Sequence, residues 1–302
     1  MFIRTCSAIA LLAAAPAFAA TPINETRPLA PDGTVSVENV KGSIVVRTWT
    51  NPQVKITGTL GKGVDKLDIS GDTRSLDIEV KYPNSRGGWN LWGRDDSRTE
   101  PTNLEITIPV RASLDVGAVS ANVDIQQMAG RKLDVSSVSG NVVVTASSPG
   151  QASFENVSGD TTLRITTNKL DVQAVSGDLH VSGGIGGEVD IETVSGNIDL
   201  GAKALDRLEI NSVSGDAKAS FGLRQGGTVK GETLSGELEL NIPKNTGAKL
   251  HVETFSGDIN SPVGRVDREE HGPGAKLDAT LGDGRGRMDL ESFSGDVKIN
   301  LQ

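Results

Sequence analysis

The sequence predicts an all-β protein, a single-chain β-solenoid coiled as a right-handed parallel helix with rungs of about 19 residues. Three observations carry that prediction. The pattern apolar-Ser-Gly-Asp/Asn/Glu recurs eight times between residues 138 and 296. Apolar residues alternate on both sides of it. The composition, with Gly at 36 residues and aromatics at 3%, suits many tight turns and few bulky core side chains.

The recurring serines are Ser139, Ser158, Ser176, Ser195, Ser214, Ser235, Ser256 and Ser294, spaced 19, 18, 19, 19, 21, 21 and 38 residues apart. The last interval is two periods. Ser120, in "VSAN", starts the series one period earlier. The interval before Ser294 holds "KLDATLGDG", which reads as a damaged rung with an insertion. A unit of this size cannot bury its apolar face alone, so equivalent units must stack.

Each unit has one internal grammar. Alternating pairs such as Leu133/Val135, Leu170/Val172 and Val189/Ile191 precede the motif, and pairs such as Val142/Val144 and Leu179/Val181 follow it. Period-two alternation marks a strand with one buried face. The same motif would also serve as the hairpin turn of an up-and-down sheet. The even period and the matching of Leu on Leu and Asp on Asp favour parallel stacking, and crossover connections are usually right-handed.

The glycines Gly140, Gly159, Gly177, Gly196, Gly215, Gly236, Gly257 and Gly295 are read as structural corners. Glycine tolerates the positive φ that tight corners commonly require, and an adjacent Asp or Asn accepts hydrogen bonds from nearby backbone N–H groups. The recurring Ser and Asp are therefore corner chemistry rather than a catalytic row.

The N-terminal part is less regular. "TVSVENVKGSIVVRTW" has the strand–turn–strand form with Lys41-Gly42-Ser43 at its corner, and "KLDISGDTRSLDIEV" is similar. Residues 1–20 read as a signal peptide, with Arg4 as the positive n-region, Ala8 to Ala15 as the apolar stretch and "AFA" as the cleavage signal. The apolar run is shorter than the roughly 20 residues of a spanning helix. Residues 21–118 form an irregular β region with a Trp-containing loop at 83–102, continuous with the repeats of 119–302. No Pro- or Ser-rich linker divides them.

Cys6 is the only cysteine and lies in the signal segment, so disulfide frameworks and thiolate metal sites are excluded from the mature chain. The formal charge is −9. An acidic chain without a basic cluster is a poor fit for nucleic acid or an anionic lipid surface. Scarce aromatics argue against an outer-membrane barrel, which needs aromatic girdles.

The units "ETFSGDIN" and "ESFSGDVKI", with "VENVKGSIVVRTW" and "NLEITIPVRASLDV", make the chain resemble the bacterial "putative adhesin" family of exported SGD-repeat β-strand proteins. The resemblance spans most of the mature chain. It implies a β-helix-like scaffold in the cell envelope, and it carries no catalytic residue onto any position. Fold alone does not imply function.

The search for chemistry finds no reactive constellation. His180, His251 and His271 form no HExxH or close pair, and no GxSxG elbow exists. "GDGRGRMD" is Gly-rich but opens no helix, so it is not a phosphate loop. No catalytic residue, metal or cofactor is assigned. The function read from this is a non-enzymatic, adhesin-like scaffold, periplasmic or on the surface, that binds a protein or glycan of the envelope. The alternatives are an envelope-stress signalling component and a polysaccharide-active β-helix enzyme.

Three places are candidates for partner binding. Trp89 and Trp92, beside Arg94, Asp95 and Asp96, form either a binding tip or a cap on the open end of the core. The outward columns of the first strand are acidic, with Asp190, Glu192 and Glu209 at their centre, and suit a cationic partner or weak calcium binding. Lastly, Val138, Val157, Val175, Val194, Val213, Leu234, Phe255 and Phe293 precede the eight serines. A bend before the corner would bury them, the ordinary fate of such residues. Unbroken alternation would instead expose an apolar ridge, which usually marks an interface.

Overall fold

The computed structural model describes residues 21–83, 99–268 and 274–302. All regular secondary structure among them is β, and every strand belongs to one hydrogen-bonded sheet. Trp89, Trp92 and Arg94 lie outside the described residues, as does His271.

Strand–corner–strand units stack in parallel. The strands Lys132–Ser139, Gln151–Ser158, Lys169–Ser176 and Gly187–Ser195 pair in sequence order, in a register that places Leu133 beside Ala152, Leu170 and Val189. After each corner a second ladder runs alongside the first: Val142–Ser147, Thr161–Ile165, Leu179–Gly183 and the start of Ile198–Ser214. Ile198–Ser214 and Ala217–Ser235 run from the second ladder of one unit into the first ladder of the next, which joins the two ladders. Alternation sends Leu170 and Val172 inward at 1% exposure, and the inner faces of both ladders merge into one apolar core. Ala174 stands below the Ser176 corner, and below the other seven of the eight corners the inward residue is polar and buried. There Asn156 Nδ2 donates to the Gly159 carbonyl (3.0 Å), Thr254 Oγ1 to that of Gly257 (3.0 Å) and Ser292 Oγ to that of Gly295 (2.9 Å).

The corner motif has two structural causes. Gly140, Gly159, Gly177, Gly196, Gly215 and Gly236 hold φ between 114° and 147°, whereas Gly257 and Gly295 lie outside the left-handed region. All eight share something else. A Cβ on any of them would fall inside 3.0 Å of a carbonyl oxygen of the adjacent unit, a distance real Cβ atoms essentially never show. The corners therefore form a column of backbone stacked directly on backbone. The Asp/Asn position forms a second column, in which each side-chain oxygen accepts from the equivalent N–H of the next unit. Asp178 N–H donates to Asp160 Oδ1 (3.1 Å), Asn197 N–H to Asp178 Oδ1 (2.9 Å) and Asp216 N–H to Asn197 Oδ1 (3.1 Å).

The order of stacking departs from the order of the chain. The final unit, Gly286–Ser294 and Val297–Leu301, inserts between the Ser235 unit and the Ser256 unit, so Ser294 lies between Ser235 and Ser256. The segment read as a damaged rung does not join this parallel stack. It is the strand Ala275–Leu281, which runs antiparallel to Ala248–Ser256 and closes the outer edge of the stack, with Val266–Arg268 antiparallel beyond it. Antiparallel strands finish the other end too, where Gln53–Leu60 pairs with Thr102–Pro109 and Thr21–Pro28 pairs with Gln53–Leu60. Covered ends protect a sheet whose edges would otherwise template aggregation.

The resemblance of Lys66–Val80 to the other units is only local. Lys66–Gly71 and Ser75–Lys81 form an antiparallel hairpin. Asp72 Oδ1 accepts from its own loop, from the N–H groups of Arg74 (2.7 Å) and Ser75 (3.0 Å), and not from a neighbouring unit. Three residues separate these strands, whereas the repeat corners resume the strand directly after the Asp or Asn. The longer loop gives the chain room to reverse.

Candidate binding groove

The residues before the serines are not buried. Val157, Val175, Val194, Val213, Leu234, Phe293 and Phe255 are 44–57% exposed, and Val138 is half-buried. Alternation continues to the end of each strand: Ser137 is buried and Val138 points outward. No bend intervenes, which overturns the ordinary expectation of burial. Because the units stack in register, these side chains line up as one apolar ridge along the molecule. At one end the rings of Phe293 and Phe255 stack with centroids 4.9 Å apart and planes 7° apart. Their contact follows directly from the inserted final unit, since in chain order the two would be two periods apart.

A groove of about 1050 Å³ follows the ridge. One wall is the ridge and the other is the outward column two residues earlier, which includes Glu155, Glu192, Glu232, Glu291 and Glu253. Asp267 and Gly274–Lys276, from the antiparallel hairpin, line it at the end near Phe255.

The outward columns farther from the ridge are less acidic than the sequence reading held. Two residues before the first acidic column stands a column that is mostly basic and includes Lys132, Lys169, Arg207, Arg287 and Lys249. It pairs along the strand, Lys132 with Asp134, Arg207 with Glu209 and Arg287 with Asp289. Same-face neighbours two residues apart are within reach of long side chains, and this signal was present in the sequence as "KLD", "RLE" and "RMD". Among the described residues no group of three or more His, Cys, Asp or Glu converges as a metal site. The carboxylates form lines, not clusters.

Asp190, Glu192 and Glu209 meet different fates. Burial, followed by the charges of Glu209, Asp171 and Glu192, pushes the Asp190 carboxyl up, and no donor among the described residues reaches its buried Oδ1. The Arg207 guanidinium bonded to Glu209 holds that carboxyl below the usual range. Glu192 is exposed on the groove wall. A raised native pKa penalises the fold at every pH above it, and the penalty is absent below the unfolded pKa. Asp190→Asn should therefore stabilise by up to about 1 kcal/mol near neutral pH, with the gain fading as pH falls through the carboxylate range. Glu209→Gln should do the opposite and weakly, by roughly 0.5 kcal/mol, because the pair is near the surface and screened. Thermal melts at neutral and acid pH check both signs.

His180 and His251 both face outward. His251 Nδ1 lies 2.7 Å from Asp278 Oδ1 and its Nε2 lies 3.3 Å from Glu253 Oε1, so it links the last parallel unit to the closing hairpin. The contact is a structural tie. No helix among the described residues is long and apolar enough to cross a membrane.

A family model described as Toastrack DUF4097 matches residues 34–300. No curated protein matches the chain. Among solved structures, a "putative adhesin" of Bacteroides fragilis is 12% identical over 92% of this chain and 97% of its own, with a TM-score of 0.42. A "putative cell adhesion protein" of Clostridium sporogenes is 14% identical over 93% of this chain and 100% of its own, with a TM-score of 0.23. A "putative lipid binding protein" of Parabacteroides distasonis is 13% identical over 92% and 96%, with a TM-score of 0.35.

Proposed function

The chain belongs to the Toastrack DUF4097 family, and from that membership and the groove we propose that it is a non-enzymatic binding scaffold. The architecture is a right-handed β-solenoid. The irregular region 21–118 and the repeats 119–302 form one continuous body. Residues 1–20 direct export and are removed, and the mature protein works in the periplasm or at the cell surface on an envelope partner.

The observation that carries this reading is the ridge. Seven consecutive units each expose a large apolar side chain at the same place, at 44–57% exposure. Scattered exposed apolar residues are ordinary, whereas a contiguous line of them costs solubility and usually marks an interface. The corner asks only for glycine and a hydrogen-bond acceptor, so nothing in the stacking requires Val, Leu or Phe there.

The test compares the mature protein with a variant carrying Val175→Ser, Val194→Ser and Val213→Ser. The exposed sites predict melting within about 0.5 kcal/mol of the parent for each substitution. Envelope extract passed over both should leave a partner on the parent that the variant fails to retain. Equal retention by both would remove the ridge from the binding face.

A further inference from the structure

Resting on that reading of the ridge, we infer that its occupant is a cationic amphipathic helix, apolar along one stripe and carrying Lys or Arg on both sides of it. The argument comes from charge. Carboxylates border the ridge on both sides. Glu155, Glu192 and Glu291 stand on the strand side, two residues before the ridge. Asp160, Asp178, Asp216, Glu237 and Asp296 stand on the corner side, three residues after it.

None of these eight carboxylates has a Lys, Arg or His within ion-pair distance among the described residues. On the same strands farther from the ridge Asp134, Glu209 and Asp289 each hold a cation, while Asp171 and Asp190 do not. Cations beside the ridge gather toward one end, where Lys230 meets Glu232 (2.6 Å), Lys276 meets Glu253 (2.8 Å) and Arg268 meets Asp258. The protein pairs several of its acids with cations away from the apolar line and gives those along most of the line no cation.

That pattern selects among occupants. A second copy docked ridge to ridge would press like charges together, and an anionic bilayer would be repelled. An uncharged apolar partner would strip water from carboxylates and give them no cation in return. An extended strand places its apolar and polar side chains on opposite faces, so its cations would point away from the acidic borders. A helix presents an apolar stripe with charged residues directly on either flank, the arrangement that matches this face.

Length agrees. Eight units at ~4.8 Å span about 34 Å, the length of a helix of roughly 20 residues at ~1.5 Å per residue. The hairpin residues Asp267 and Gly274–Lys276 wall the groove at the Phe255 end and set where such a helix stops.

The experiment uses the mature chain and labelled synthetic peptides of about 20 residues, read by fluorescence anisotropy. A Leu/Lys helix should bind, and raising salt from ~0.05 to ~0.5 M should weaken it about tenfold or more. A Leu/Glu helix should not bind, nor should a Leu/Lys peptide of the same composition broken by proline. Two variants should each lose about tenfold at low salt. One carries Val175→Ser, Val194→Ser and Val213→Ser. The other carries Asp178→Asn, Glu192→Gln and Asp216→Asn, in which asparagine keeps the corner hydrogen bonds, as Asn197 already does. Binding that ignores the charge variant, or tighter binding to anionic vesicles than to the peptide, would overturn the inference. If no peptide binds while capture from extract still depends on the ridge, the cationic helix is wrong and the binding face stands. Loss of both would sink the face itself.

Discussion

Ending the chain after Leu281 should abolish cooperative folding, or lower the melting temperature by tens of degrees. The deleted unit is interior although it is last in sequence. Met288, Leu290 and Val297 are 0% exposed and Ile299 is 2%. At about 1.5–3 kcal/mol for each buried side chain, these four alone supply ~6–12 kcal/mol. A whole domain holds only about 5–15 kcal/mol. The truncation also strips backbone pairing from both neighbours, since Gly286–Ser294 bonds to Ala217–Ser235 on one side and to Ala248–Ser256 on the other. Circular dichroism during thermal melting checks this. A truncated chain that melts within a few degrees of the parent would show that the Ser256 unit slides across to take the empty place, which its matching register would permit.

The corner glycines give the second large effect, and three substitutions separate its causes. Gly196→Ala should cost about 3 kcal/mol or more, because it combines φ +129° with a Cβ driven into the Gly177 carbonyl. Gly226→Ala should cost only about 1 kcal/mol, because φ is +79° but nothing lies within 4 Å of the new Cβ. Gly257→Ala isolates the remaining term, since its φ is outside the left-handed region while its Cβ would strike the Gly295 carbonyl. If Gly257→Ala falls with Gly196→Ala, close stacking governs the motif. If it falls with parent, backbone conformation does. Denaturant titration of the three variants decides.

The parallel stack was legible because its causes are local and repeated. Alternation, a fixed period and a glycine at each corner name strands, inner faces and turns without reference to anything distant. What was hidden is relational. "TLSGEL", "TFSGDI" and "SFSGDV" are near-synonyms, so no residue in them states which unit lies beside which. The choice goes with the antiparallel strand Ala275–Leu281, which occupies the outer edge of the Ser256 unit. The hairpin at Lys66–Lys81 misled for a similar reason, since "SGD" describes a corner and the length of the following loop decides whether the chain advances or reverses. The ridge was legible in its alternation, but an apolar residue at a strand end reads as core until its neighbours are in place. The acidic columns stand in the sequence, and so do the cations two residues before one of them, but only the strand geometry shows that Lys132, Arg207 and Arg287 pair with Asp134, Glu209 and Asp289.

A final segment that sits inside the body acts as a keystone, and this limits how such a molecule is made and how it can grow. Synthesis delivers the chain from its N-terminus, so the Ser256 unit exists before the neighbour it will finally hold. The arch must wait, open by one course, for residues 286–302, which are made after both of their neighbours. Lengthening by duplication is confined accordingly. An extra unit copied within 132–242 drops between two like neighbours and extends the wall, whereas one copied directly after the Ser294 unit meets a place already filled on both sides.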